Sequence, residues 1–228
     1  MASISDWWKE EKGKLKTMTA SQAVQYIVSY YWIPIVGITA AVFLAVFLIC
    51  HIRAGEPQYA LYGIFANTLE DGGTDSQLYR EFTAYAKIDS PYPVEFDSQI
   101  YLNQSSYASG SDHYFATFLV LAETGALDFI TMTPDDLCEL AQSGRLMNLN
   151  DPNCAEIAER YHDRWIFAEV TDEDGVLQSI PIGFDISDSA LVETYGLYRE
   201  ECALGLGLYS SKTDTVMKFM DFVLEGRD

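Results

Sequence analysis

The sequence predicts an α/β protein: a single-pass N-terminal transmembrane helix followed by one lobe with a mostly parallel sheet. Three observations predict it. Between Thr17 and Ile52 there is no Asp, Glu, Lys or Arg. Beyond that run, short apolar segments alternate with helical segments that carry their own start and stop signals, the pattern of βαβ units. The charge also changes sign along the chain. Residues 1–53 hold five Lys/Arg against three Asp/Glu, a net of +2, whereas 54–228 hold nine against 31, a net of −22. So acidic a domain repels nucleic acid and anionic surfaces, which excludes nucleic-acid binding.

The anchor rests on "IPIVGITAAVFLAVFLICHI", Ile33–Ile52. Nineteen residues from Pro34 onward rise roughly 28 Å as a helix, enough for the hydrocarbon core. Pro34 suits a first helical turn, and Tyr26, Tyr30, Tyr31 and Trp32 stand where an aromatic belt lies. Lys9, Lys12, Lys14 and Lys16 precede the span and only Arg53 follows it closely, so the N-terminus is expected in the cytoplasm and the C-terminal domain outside. The run is too long, and "CHIRAG" too poor a cleavage site, for a signal peptide; Ile49 before Cys50 argues against a lipoprotein. The expected segments are 1–31, a basic and amphipathic cytoplasmic stretch; 32–53, the span; 54–58, a linker; and 59–228, the outer domain. Thr19 with Gln22 forms a capping box at the start of the amphipathic stretch.

In the outer domain "YALYGIFAN" reads as a buried strand. A capping box at Thr74 and Gln77 opens the next helix, with Leu78, Phe82 and Tyr85 on one face. "PVEFDSQIYL" is a second strand, and Ser111 caps "DHYFATFLVLAET", which Gly125 ends. "LDFITM" is a third strand. Thr133 then caps a helix with Pro134 in its first position, Asp135 and Asp136 near its positive end, and Gly144 as its stop. "RWIFAEV" and "VLQSIPIG" form a hairpin through "TDEDG". "CALGLGLYS" is a last strand, followed by a capped helix with Val216, Phe219, Met220 and Val223 along one stripe and Gly226 at its end.

"LAETGALDFITMTPDDLCELAQSGRLMNLND" resembles a segment of the extracellular solute-binding proteins of bacterial ABC importers, with Gly125, Asp128, Gly144, Leu146 and Leu149 at the matching positions. "GVLQSIPIGFD" is similar to that family's hairpin, Pro181 and Gly183 matching. "LYSSKTDTVMKFMDFVLEG" resembles its near-terminal helix, with Met217 in place of the usual alanine. The likeness runs in patches over residues 58–226 and implies a periplasmic-binding-protein-like fold. Such proteins hold ligand between two lobes, but only about twenty residues, Phe184 to Ala203, separate the strands where the second lobe would be inserted, so that lobe is expected to be largely absent. The chain also resembles small anchored proteins of Gram-positive bacteria that join one span to such a reduced domain.

Catalytic motifs are missing: there is no Gly-x-Ser-x-Gly, His-Glu-x-x-His or phosphate loop, and His51, His113 and His162 read as surface histidines. No catalytic residue, metal or cofactor is expected. Asp172 and Asp174 lack the further ligands of a calcium loop and read as a hairpin turn. Cys138 and Cys154 are the expected disulfide pair among the three outer cysteines.

In a sheet of this winding, loops at the carboxyl ends of the strands gather on one edge. That places Asn67, Thr68, Gln104, Ser105, Tyr107 and Thr131 at a candidate ligand site, with Asn103, Ser106 and Thr133 beside them; Asp185 joins them because "FDISD" follows the Ile-Pro strand, though Asp185 and Asp188 equally suit a cap of the next helix. Uncharged polar groups with a tyrosine suit a sugar-like or peptide-like ligand; the same residue types also serve as plain turn and cap residues. The expected function is a membrane-anchored extracellular binding or interaction domain, acting through a protein partner or through weak capture of a small solute. The alternative is an accessory or regulatory subunit of a membrane transporter or envelope complex; an envelope enzyme is the lesser reading.

Overall fold

The computed structural model describes residues 12–13, 18–54, 58–103, 112–171 and 175–225. The chain divides into two units, Met1–Pro57 and Gln58–Asp228. In the first, helix α1 runs unbroken over Ala20–Ala54. At its start half of the expected box forms: the Thr19 backbone N–H donates to Gln22 Oε1 at 3.1 Å, while the Thr19 hydroxyl donates to the same oxygen at 3.0 Å. Among the described residues no helix is long and apolar enough to cross a membrane. The span expected at 32–53 lies within α1 and is not supported as a membrane crossing among those residues.

The second unit is an α/β sandwich. Its elements are β1 (Leu61–Phe65), α2 (Gln77–Ala86), β2 (Val94–Asp97), α3 (His113–Glu123), β3 (Phe129–Met132), α4 (Pro134–Ala141), α5 (Ala155–Arg160), β4 (Trp165–Thr171), β5 (Leu177–Asp185), α6 (Ala190–Glu193), β6 (Ala203–Leu206) and α7 (Thr213–Leu224). The sheet order is β2-β1-β3-β6-β5-β4. β1 pairs in parallel with β2 and β3, while β3–β6, β6–β5 and β5–β4 are antiparallel. Four strands therefore run one way and two the other. The parallel half is where helical crossovers return the chain; the antiparallel half comes from the expected hairpin and from β6, which enters between β3 and β5.

Period-two alternation splits the core. Leu61 and Phe65 of β1 face one side, with Phe82, Phe96, Phe129, Phe184 and the buried stripe of α7. Tyr62 and Ile64 face the other, with Phe115, Phe118, Ile130 and Leu137. In the first layer the Phe129 and Phe219 rings stack at 4.5 Å. Gly63 makes room for them: a Cβ there would lie 2.1 Å from the Phe129 ring.

The motif residues of β3 and α7 meet in one buried pairing. Asp128, fully buried, accepts from the Tyr62 N–H at 2.8 Å, the Ser210 hydroxyl at 2.8 Å and the Lys212 ammonium at 2.9 Å. Burial pushes its carboxyl above the usual range, and those three donors pull against the shift.

Several local expectations change. The Thr74–Gln77 box is not formed: Ser76 caps α2 by accepting from the Tyr79 N–H, and the Thr74 hydroxyl serves the β2 backbone at Phe96 instead. Asp112, not Ser111, caps α3, because its carboxylate accepts from both the Tyr114 and Phe115 N–H groups; Ser111 itself lies outside the described residues. α7 has no side-chain cap at Lys212, and Gly226 lies outside the described residues. Cys138 and Cys154 are free thiols on opposite sides of the sheet, which keeps them from bridging. Thr133 caps α4 as expected, and Gly125 and Gly144 take positive φ, +70° and +67°, beyond the ends of α3 and α4. At the outer strand, α4 reaches over the rim: the Gln142 amide donates to Glu169 O, and the Cys138 thiol lies 3.7 Å from Phe167 O.

Two variants test this account. Gly144→Val meets open space, so its cost is the strained backbone, about 1 kcal/mol, and a lowered melting temperature is expected. Lys212→Met strands a buried carboxyl and should cost about 3 kcal/mol near pH 7. Asp128 then favours its protonated form still more, so the loss should shrink as pH falls toward 4 in urea unfolding. A deficit constant with pH would contradict the pairing.

Candidate functional site

The carboxyl ends of β1, β2, β3 and β5 share one edge of the sheet, since Asp185 of β5 stands level with Met132 of β3 through Ala203. The expected site residues fare differently there. Asn67, directly after β1, adopts φ +58°, which asparagine tolerates. Its amide is spent on structure: Nδ2 donates to Leu102 O at 2.8 Å and Oδ1 accepts from the Leu102 N–H at 2.9 Å, with Asp136 Oδ2 at 3.2 Å. Thr68 is half-buried in the same loop. Thr131 is fully buried and offers no surface to a ligand. Thr133 is the α4 cap. Gln104, Ser105, Ser106 and Tyr107 lie outside the described residues.

Asp185 is exposed at the end of β5, where its Oδ1 accepts from the Ser187 N–H at 3.0 Å and the Ser187 hydroxyl at 2.6 Å. Asp188 does not cap α6. It pairs with both Nη atoms of Arg164, which holds its carboxyl below the usual range.

The residues that shape the edge come from the connection 186–202 between β5 and β6, a strap folded back over the strand ends. Ile186, Leu191, Leu197, Tyr198 and Cys202 are buried in the first core layer. Tyr198 reaches to the tips of β1 and β3. Its hydroxyl lies 2.9 Å from Thr131 O, 3.1 Å from Ala66 O and 2.8 Å from Thr131 Oγ1. It donates toward the carbonyls and accepts from the threonine, so it occupies donor and acceptor positions that a bound hydroxyl compound would use. Burial pushes this phenol well above its ordinary pKa. Leu197 O accepts from the Leu69 N–H at 2.9 Å, and the Tyr195 hydroxyl donates to Glu81 Oε2 at 2.7 Å, fixing the strap at two further points.

What remains open is a cleft of about 470 Å³ lined by Asn67, Leu69, Thr133, Tyr198, Arg199, Glu200 and Glu201. The sequence placed Asn67 and Thr133 here but missed the strap residues. A tyrosine in a short inter-strand connection carries no local signal that it will be buried against strands more than sixty residues away.

Among the described residues no triad or metal set assembles. Asp112 is engaged as a helix cap rather than with His113, and the His162 ring packs on Trp165 at 4.7 Å. Among the described residues no group of three or more His, Cys, Asp or Glu could hold a metal ion. Asp172 and Asp174 lie outside the described residues, while Gly175 takes φ +78° in the turn.

Tyr198→Phe removes the buried hydroxyl and should destabilise the domain by about 1–2 kcal/mol, read as a lower urea midpoint with unchanged slope. An unchanged midpoint would mean that the strap is held by apolar packing alone. Comparison of the chain with family models, with curated proteins and with solved structures finds no match in any of the three.

Proposed function

We propose that this chain is a membrane-anchored, outward-facing interaction domain that acts through a protein partner, with a reduced solute-binding-type lobe as its scaffold. The observation that carries the reading is the strap. Tyr198 takes up the carbonyls of Ala66 and Thr131 at the strand ends with its own hydroxyl, so a small solute in the cleft beside it would find those groups already bonded. A ligand held by one lobe also stays largely solvated, which weakens capture of small molecules.

The anchor reading is supported by the charge-free run Thr17–Ile52, by the continuity of α1 and by the exposure of Ile38, Val42, Phe43 and Phe47, an arrangement suited to lipid. A transporter or another envelope complex is the class of partner that such a tether brings within reach.

Two measurements test the proposal. Protease added to intact cells that express the full chain should remove a C-terminal epitope and spare an N-terminal one; a protected C-terminus would overturn the orientation. Native mass spectrometry of the full chain released from the membrane in mild detergent should show a stoichiometric protein subunit. A stoichiometric small molecule in its place would overturn the interaction reading.

A further inference from the structure

Resting on that interaction reading, we infer that the strap edge is the docking face and that it takes a protein segment bearing an apolar anchor residue flanked by lysine or arginine. Two large apolar side chains stand out on this edge: Leu69, 62 % exposed, and Tyr101, 59 % exposed. Both are held by backbone pairing. Leu69 lines the 470 Å³ cleft, and its N–H is bonded to Leu197 of the strap. Tyr101 sits between Ile100 and Leu102, whose backbones are both bonded by Asn67, a second residue of that cleft. Scattered apolar side chains on a surface need no explanation, but Leu69 lines the hollow and Tyr101 stands on the segment clipped to Asn67, another residue of its lining, so both are offered to a partner that docks on this edge.

The surroundings supply charge complementarity. Glu200 and Glu201 line the cleft, and Glu70, Asp71 and Glu193 line a second hollow of about 460 Å³ on the strap's other flank. Among the described residues Arg199 is the one basic residue lining either hollow. Within a domain of net −22, this edge combines the exposed Leu69 side chain with the carboxylates that line both hollows. A basic segment would be steered to it and held by one apolar side chain in the cleft.

The test uses the full chain in zwitterionic phosphatidylcholine nanodiscs and a synthetic peptide, acetyl-Gly-Lys-Phe-Lys-Gly-Lys-amide, titrated by calorimetry with empty discs subtracted. The peptide should bind, and its counterpart with glutamate for lysine should not. Leu69→Ser combined with Tyr101→Ser should weaken binding at least tenfold, as should Glu200→Lys combined with Glu201→Lys. Glu156→Lys combined with Glu159→Lys, on exposed positions of α5, should leave affinity within twofold. Melting temperatures of all variants check that the fold is retained. Equal losses at both acidic pairs, or no loss at Leu69 and Tyr101, would overturn the inference. The interaction reading would survive that result and would fall only if native mass spectrometry showed a stoichiometric small molecule in place of the protein subunit.

Discussion

The buried carboxylate of Asp128 is the point on which the domain's geometry turns. It lies at the start of β3 yet bonds to the backbone of β1 and to Ser210 and Lys212 just before α7. The Asp128 carbonyl also accepts from the Gly207 N–H. Segments far apart in sequence are thus tied at one end of the sheet. A carboxyl in an apolar interior is tolerated only when its donors are all in place, so this knot fixes the register of β1 against β3 and the point from which α7 departs. α7 then lays Phe219 on Phe129 and against Phe65, Phe82 and Phe96, which completes the first core layer.

At the opposite end, the same sheet is closed by its own connection. The strap brings Tyr198 to the carbonyls of Ala66 and Thr131, the second of which also accepts from the Ala66 N–H. The strand tips are therefore met by the chain's own groups without help from a bound molecule, and the opening left beside them is the cleft that Leu69 and the strap line. The functional proposals follow from that closure.

Local chemistry was legible in the sequence and long-range chemistry was not. Thr133, Pro134, Gly125 and Gly144 act through the backbone within a few residues, and their signals survive in the structure. Thr74 and Ser76 compete for the same helix start, and Thr74 is drawn away by Phe96, a partner twenty-two positions along the chain. Asp112 displaces Ser111 as the cap of α3 because a carboxylate can accept from two N–H groups there at once. The two cysteines read as a bridge lie on consecutive helical segments, but the sheet passes between them. At the candidate site, Asn67 was correctly placed at the strand ends, though its amide clips the chain to Leu102. Thr131 has the polarity of a ligand contact, but Tyr198 covers it, and nothing near Tyr198 in the sequence announces that reach.

The outer strand β4 carries one further consequence. Its exposed rim would ordinarily invite another chain to add a strand, and Phe167, half of it in solvent, would make such growth favourable. α4 obstructs this by bringing Gln142 and Cys138 to the outward carbonyls of Glu169 and Phe167. An incoming strand would have to evict both side chains before its first rung could form. The domain thereby carries its own barrier to templated self-association along that edge, in a protein whose proposed tether would crowd copies together in two dimensions.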